Sequence, residues 1–379
     1  MGRVRHSRCA AAALAVALLT GCSPAVDPGA DPSRDPFSQP VVPTDPAGST
    51  PGGTGTAQQS GVVAEPRRGS GVVTAVVEQG RTLPEDVVRD FRSTTGFTLR
   101  QVEVPAGDLH EGAPQGTDAD VILGLDANAA LEATSAGVLA TTAPQDTTTP
   151  TGTALQGAPA ATAYARDDVC LLADTQWFAA NRKELPTSWS ELASGGWPDL
   201  LLVPDPAGSV EGLAFTAAAQ ASLGAGADAW WSALTSGGVE SGTPTQILWR
   251  WTASSGTGTD ARPLLVARQS VVATTLNDSG TESASAAVGA TCLERMLYSA
   301  VTADATHEDG AESLLAYLRG TTVQEVLAST GVAFPLSATD AEGTAIGWFS
   351  QPSADALQLP EADLPSADAR AETWSKGLG

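Results

Sequence analysis

Apolar positions along the chain fall into short blocks whose period changes from one block to the next. Val72–Val77 is a continuous apolar run with strong β propensity, which predicts a strand. Behind Pro84, apolar Leu83, Val87, Val88 and Phe91 recur at helical spacing, so Leu83–Ser93 is predicted to be a helix. Phe97–Val104 alternates as a second strand. Val121–Leu123 is a third, closing on Gly124-Leu125-Asp126, and Asn128–Ala136 reads as helix. Strand and helix alternating in this way imply an α/β fold with a mainly parallel sheet and flanking helices.

A Thr/Pro/Gly-rich loop, Thr141–Gly157, separates this region from another of the same kind. There Val169–Ala173, Leu200–Val203 and Val271–Thr275 are predicted strands, and Leu293–Val301 is an apolar alternation broken by Glu294 and Arg295. Helices are predicted at Trp177–Asn181, Ser188–Ala193, Glu211–Ser222, Ala227–Leu234 and Thr245–Thr252, then at Ala311–Leu318, Val323–Ala328 and Asp368–Ser375. Two α/β regions, with the chain crossing between them more than once, predict two lobes and a cleft.

The first residues follow a different pattern. Arg3, Arg5 and Arg8 form a basic start, and Cys9–Leu19 is an apolar run too short to span a bilayer, which takes about 20 residues. A basic start, a short apolar middle and a small-residue exit describe an export signal, residues 1–21. The exit, Leu19-Thr20-Gly21-Cys22, resembles the lipobox of bacterial lipoproteins, which implies a lipidated Cys22 and a chain anchored on the extracytoplasmic face of the cell membrane. From 22 to 69 Asp-Pro recurs among Gly, Ser and Thr, with too little apolar surface to offset the entropy of ordering. As a coil of about 45 residues this stalk would span roughly 35–40 Å. Residues 70–379 then make the folded domain, expected to be a monomer.

Composition narrows the partners. The formal charge is −23, and three of the 20 basic residues lie in the export signal, so the remainder is more acidic still. Such a balance argues against nucleic acid and against an anionic lipid surface as binding partners. With Cys9 in the signal and Cys22 at the lipid site, Cys170 and Cys292 remain. Outside the cytoplasm they favour a disulfide, the alternative being two separate buried thiols.

No enzyme constellation stands out. Beyond His6 in the signal, the histidines are His110 and His307, both read as solvated loop residues. No Walker-type loop, His-Glu-x-x-His or Gly-x-Ser-x-Gly is present, no cofactor or metal is called for, and Gly224-Ala225-Gly226 lacks a preceding strand.

At Asp118-Ala119-Asp120-Val121-Ile122-Leu123-Gly124-Leu125-Asp126-Ala127-Asn128 the chain resembles the thiamine-binding substrate-binding proteins of ABC transporters. Order and spacing extend the likeness over about Gly71–Leu378. The resemblance implies a periplasmic-binding-protein-like fold that captures a small solute, thiamine or a related cationic heterocycle, and delivers it to a permease and its ATPase. It implies a cleft position for Gly124 and Asp126, where Asp126 would offset a cation, cap the next helix, or do both. It also implies that the turn Asp205-Pro206-Ala207-Gly208-Ser209 holds polar groups of the ligand, Ser209 donating or simply capping. Thr245, Asn277 and Asp278 fall where the second lobe would reach the cleft, and the strands carrying Cys170 and Cys292 would lie within bridging reach.

The chain departs from the family where rings would stack on the ligand. Glu78-Gln79-Gly80 follows the first strand, Leu276-Asn277-Asp278 stands where a Tyr is expected, and Phe334 is the ring left at Thr330–Pro335. Trp249 and Trp251 are candidate substitutes, although Trp at that spacing more often belongs to a core. A different reading of the same features is a binding-fold lipoprotein without transport that acts as a sensor or scaffold.

Overall fold

The computed structural model describes residues 65–114, 118–144, 150, 152–254 and 260–378. The export signal, Cys22 and the stalk up to residue 64 lie outside the described residues. The described chain forms two five-stranded mixed sheets. The first has the order β2-β1-β3-β10-β4 and the second β7-β6-β8-β5-β9. In chain order the strands are β1 (Gly71–Glu78), β2 (Phe97–Val104), β3 (Val121–Leu125), β4 (Thr162–Arg166), β5 (Val169–Asp174), β6 (Leu201–Pro204), β7 (Glu240–Gly242), β8 (Leu264–Arg268), β9 (Ser285–Ala287) and β10 (Met296–Val301).

In the first lobe β1 runs parallel to β2 and β3, while β10 is antiparallel to β3 and β4. Helix Glu85–Thr95 covers one face with Val87 and Phe91, and helix Glu308–Leu318 adds Leu314, Leu315 and Leu318 to the same core. In the second lobe β6 is parallel to β7 and β8, and β5 is antiparallel to β8 and β9. Rings fill much of its core: Trp189, Phe215 and Trp230 pack together, and Trp374 of the C-terminal helix Leu364–Lys376 stacks on Trp231 with centroids 4.8 Å apart. Phe178 and Trp197 stack a little further on.

The described chain passes between the lobes three times, once between Ala333 and the C-terminal helix and twice through short connections. Asp167-Asp168 links β4 to β5, and the stretch around Leu293–Arg295 leads back into β10. They are tied to each other: the Asp167 N–H donates to the Arg295 carbonyl (2.9 Å) and the Arg295 N–H donates to the Asp168 carboxylate (3.2 Å). Arg166 grips Asp168 through two bonds of 2.7 Å, and its backbone bridges to Phe334. Because β1, β3 and β4 end at this boundary, and β6 and β8 end there from the other side, the carboxyl edges of both sheets face one interlobe cleft. Open α/β sheets bind ligands at such edges.

The expected segments match these elements with a few differences. Val271–Thr275, expected as a strand, is one helical turn at Val271–Thr274, and the strand is the preceding Leu264–Arg268. The reason lies in Ser270. Its N–H and its hydroxyl both donate to the buried Asp167 carboxylate, at 3.1 and 2.9 Å, which turns the chain out of the sheet before its β-branched residues can extend it. In the same way β10 begins at Met296, not Leu293, since Leu293 pairs with Val169 and packs in the second lobe's core. Strand β4 was not expected, because alternating alanines in Thr162-Ala163-Tyr164-Ala165-Arg166 give little apolar contrast. Cys170 on β5 and Cys292 before β10 are joined by a disulfide.

Candidate functional site

Between the lobes lies a cavity of about 320 Å³, at the lower end of the range of about 300–1,000 Å³ for small-ligand sites. Its first-lobe wall is Asp126, Ala127 and Asn128, directly after β3. Its second-lobe wall is Leu213, Ala214 and Ala217 of helix Val210–Leu223. Arg295, Met296 and Tyr298 close it from the linking segment and β10.

The geometry of Asp126 follows from the end of β3. Gly124, at φ 86°, takes a left-handed conformation that side chains rarely adopt, and it re-aims the chain toward the boundary. Asp126 is then extended and caps helix Ala127–Ser135, with Oδ1 accepting from the Ala129 N–H at 2.9 Å. Its second oxygen faces Arg295, Nε to Oδ2 3.7 Å, an ion pair too long to be a hydrogen bond. The Arg295 side chain is only 4% exposed, and its Nε and Nη1 find no hydrogen-bond partner among the described residues. Its Nη2 reaches the Gly124 carbonyl at 3.5 Å.

Beside the cavity, at the amino end of helix Val210–Leu223, a second cluster of charge crosses the lobe boundary. Glu78 ends β1 and Arg81 follows it in the first lobe. Arg268 ends β8, and Glu211 opens the helix in the second. Arg268 binds both oxygens of Glu78, at 3.2 and 2.9 Å, and donates from Nε to Glu211 at 2.5 Å, while Arg81 lies 3.5 Å from the same Glu211 oxygen. Burial works against the Glu211 charge, but Arg268 and Arg81 outweigh it and hold the carboxyl at about 2. Burial likewise disfavours the Arg268 cation, yet Glu211, Glu78 and Asp167 drive its pKa up. Burial pushes Asp167 up, opposed by both arginines. Tyr164 joins the two clusters electrostatically. Burial raises its phenol to about 12 while Arg295, Arg268 and Arg81 pull the other way, and its hydroxyl would lie 3.8 Å from a Cβ placed on Gly124.

Of the expected ligand residues, Asp126 lines the cavity, and Gly124 touches the site through its carbonyl. The other five are not among the cavity-lining residues. Asp205 accepts from Ala207 N–H, Gly208 N–H and the Ser375 hydroxyl, and Ser209 caps its helix by accepting from the Gly212 N–H at 3.0 Å. A Cβ on Gly212 would meet the Asp205 carbonyl oxygen at 2.0 Å, so the turn and helix are packed as one unit. Thr245 lies in helix Pro244–Ser254. Asn277 and Asp278 sit in a turn whose bonds, from Ser279, Thr281 and Glu282 to the Asn277 side chain, are its own. The candidate rings are elsewhere too: Trp249 is 71% exposed, whereas Trp251 and Phe334 are buried in satellite cores. His110 lies 3.7 Å from Glu132, and His307 3.4 Å from Asp120, which is locked by the backbone N–H groups of Thr74, Thr306 and His307.

Sequence reasoning missed Arg295, Arg268, Glu211, Arg81 and Tyr298. The signal was there for two of them, since one Arg ends the apolar run Leu264–Ala267 and another interrupts Leu293–Val301 in a chain with few basic residues.

Two α/β lobes, linked by short crossovers and closing on a cavity at their sheet edges, define a two-lobed solute receptor. The chain belongs to the bacterial extracellular solute-binding protein family, whose model matches residues 76–333. It is thus a non-enzymatic, extracellular binder of a small solute, of the kind that serves ABC-type uptake. Among solved structures it is similar to a periplasmic thiamin binding protein, at 17% identity and a TM-score of 0.68, covering 83% of this chain and 99% of that one. It is similar also to iron-bound HitA from Pseudomonas aeruginosa, at 19% identity and a TM-score of 0.63, covering 81% and 99%. A third is a GABA receptor, at 14% identity and a TM-score of 0.62, covering 80% and 98%. At such identities the likeness shows the fold alone. No curated relative matches the sequence.

Proposed function

We propose that this chain is the membrane-anchored solute receptor of an ABC importer, held through Cys22, which binds its solute in the cavity between Asp126, Arg295 and helix Val210–Leu223 and presents it to a permease. The observation that carries this reading is the cavity itself, which has one wall on each lobe, so that closure and binding are the same event. A cationic heterocycle such as thiamine is supported by the Asp126 carboxylate at the cavity wall and by the thiamin-binding neighbour. Against it, Tyr298 is the one ring among the lining residues, and its hydroxyl is engaged with the Thr153 carbonyl at 3.0 Å. Iron, bound by another neighbour, finds no cluster of three or more His, Cys, Asp or Glu side chains among the described residues.

The second reading, a sensor or scaffold without transport, is favoured by the cluster of Glu78, Arg268, Glu211 and Arg81. It ties the lobes together with the protein's own charges, so that closure does not need a solute. A thermal-shift screen over thiamine, its phosphates, polyamines, metal ions and amino acids separates a solute receptor from a scaffold. A solute present at about 100 times its Kd should add about 2.7 kcal/mol of stability. A receptor shows one such solute class, whose effect is lost when Asp126 is changed. A scaffold shows none.

A further inference from the structure

Asp126 and Arg295 carry opposite charges in the wall of one cavity, and neither is satisfied. Asp126 spends Oδ1 on its helix cap, and Oδ2 accepts no hydrogen bond among the described residues. Arg295 has a backbone fixed at both ends, N–H to Asp168 and carbonyl to Asp167, so its side chain cannot leave the boundary. Yet two of its three guanidinium nitrogens are buried without a hydrogen-bond partner among the described residues. Leaving donors of a charged group unpaired in a closed site is costly, and buried polar groups are as a rule bonded. At 3.7 Å the two charges are close enough to attract and too far apart to satisfy each other. A purely cationic solute would serve Asp126 and repel Arg295, and a purely anionic one would do the reverse. The wall opposite, Leu213, Ala214 and Ala217, is apolar and uncharged, and the other two charged lining residues are already engaged, Glu294 with Arg166 and Glu361 with the N–H groups of Gln156 and Gly157.

We infer that the solute is a small zwitterion, with a carboxylate that accepts from Arg295, an ammonium that donates to Asp126 Oδ2, and a short aliphatic body against helix Val210–Leu223. The inference rests on the reading above that the interlobe cavity is the solute site, and it replaces the cationic heterocycle with a solute class that both charges recognise. Binding is non-covalent, and no bond is made or broken. Arg295 is then a specificity residue: it distinguishes an amino acid from the corresponding amine.

Calorimetry on the full-length protein tests this with glycine, β-alanine and γ-aminobutyrate as zwitterions of increasing charge spacing, and with butylamine, butyrate and thiamine as single-charge probes. The expected result is that at least one zwitterion binds and the single-charge probes do not. Asp126→Asn and Arg295→Gln should each weaken that binding by about thirtyfold or more, and Arg295→Lys, which keeps the charge but loses the planar fork, by less. Melting curves for the unliganded variants guard against misfolding, since Asn caps a helix about as well as Asp. Binding of thiamine or butylamine that needs Asp126 and ignores Arg295 would overturn the zwitterion and leave the receptor standing. Absence of binding by every probe to a correctly melting protein would overturn both and favour the scaffold.

Discussion

Removing Arg268 tests whether the charge cluster, and not apolar packing alone, joins the lobes. In Arg268→Met the side-chain volume is roughly kept, but Glu78 loses both its bonds to the guanidinium and Glu211 keeps only Arg81, at 3.5 Å. Breaking a buried pair by deleting one partner costs about 3–5 kcal/mol, because a charge is left behind without compensation. The ionisation of Glu211 gives a similar figure. A carboxyl held at about 2 instead of its ordinary 4.5 represents about 3 kcal/mol of stability at neutral pH. The sign fixes the pH window. A depressed carboxyl stabilises the fold above 4.5, and that contribution fades as pH falls toward about 2. Urea titrations of wild type and Arg268→Met should therefore differ by about 3–5 kcal/mol near neutral pH and converge in acid. Adding Glu78→Gln and Glu211→Gln to Arg268→Met should recover part of the loss, since the two carboxylates that Arg268 bound then carry no charge, while Arg81 and Asp167 remain as each other's counter-charge. A deficit under about 1 kcal/mol, or one that does not change with pH, would refute the reasoning and mean that water already screens the cluster.

Asp368, on the C-terminal helix, meets the first lobe through Asn128 (2.7 Å), and burial with nearby Glu132 and Asp126 raises its pKa to about 6 in spite of that bond. A raised carboxyl costs stability as pH climbs through about 6, so Asp368→Asn should stabilise the protein at about pH 8 by about 1 kcal/mol, discounted for partial exposure, and leave it unchanged at about pH 4. Thermal melts at both pH values check this, and an equal gain at each would contradict it. Replacing Cys170 and Cys292 by Ser should lower stability by about 2–5 kcal/mol in denaturant titrations, since the bridge closes a separation of 122 residues. Cys22→Ser should release the protein from the membrane or block its maturation, which detergent-phase partitioning would show.

The fold was legible because its signals are local. Apolar periodicity located β1, β2, β3, β5 and β6 and most helices, and Asp126 could be placed after a strand from Gly124-Leu125-Asp126 alone. Where the reading failed, a tertiary contact decided. Nothing near Val271 announces that Asp167, more than a hundred residues earlier, takes both donors of Ser270 and turns the chain into a helix. The site was legible on one side only. Asp126 belongs to a recognisable segment, whereas Arg295 acquires its meaning from a cavity built by β3, β10 and helix Val210–Leu223 together. The tryptophans show the same limit: a ring in the sequence does not say whether it stacks on a solute or, like Trp230, Trp231 and Trp374, on its neighbours in the core.

The central claim is that a small solute sits between the lobes against Asp126 and Arg295. The measurement closest to it is a crystal structure of the protein purified from its own cell envelope without unfolding, with native mass spectrometry of the same sample to weigh whatever it carries. One small molecule should then lie in the interlobe cavity, within hydrogen-bond distance, about 3 Å, of Asp126 Oδ2 and of the Arg295 guanidinium. A solute held elsewhere on the protein, or lobes shut by Glu78, Arg268 and Glu211 over a cavity that holds only water, would contradict it.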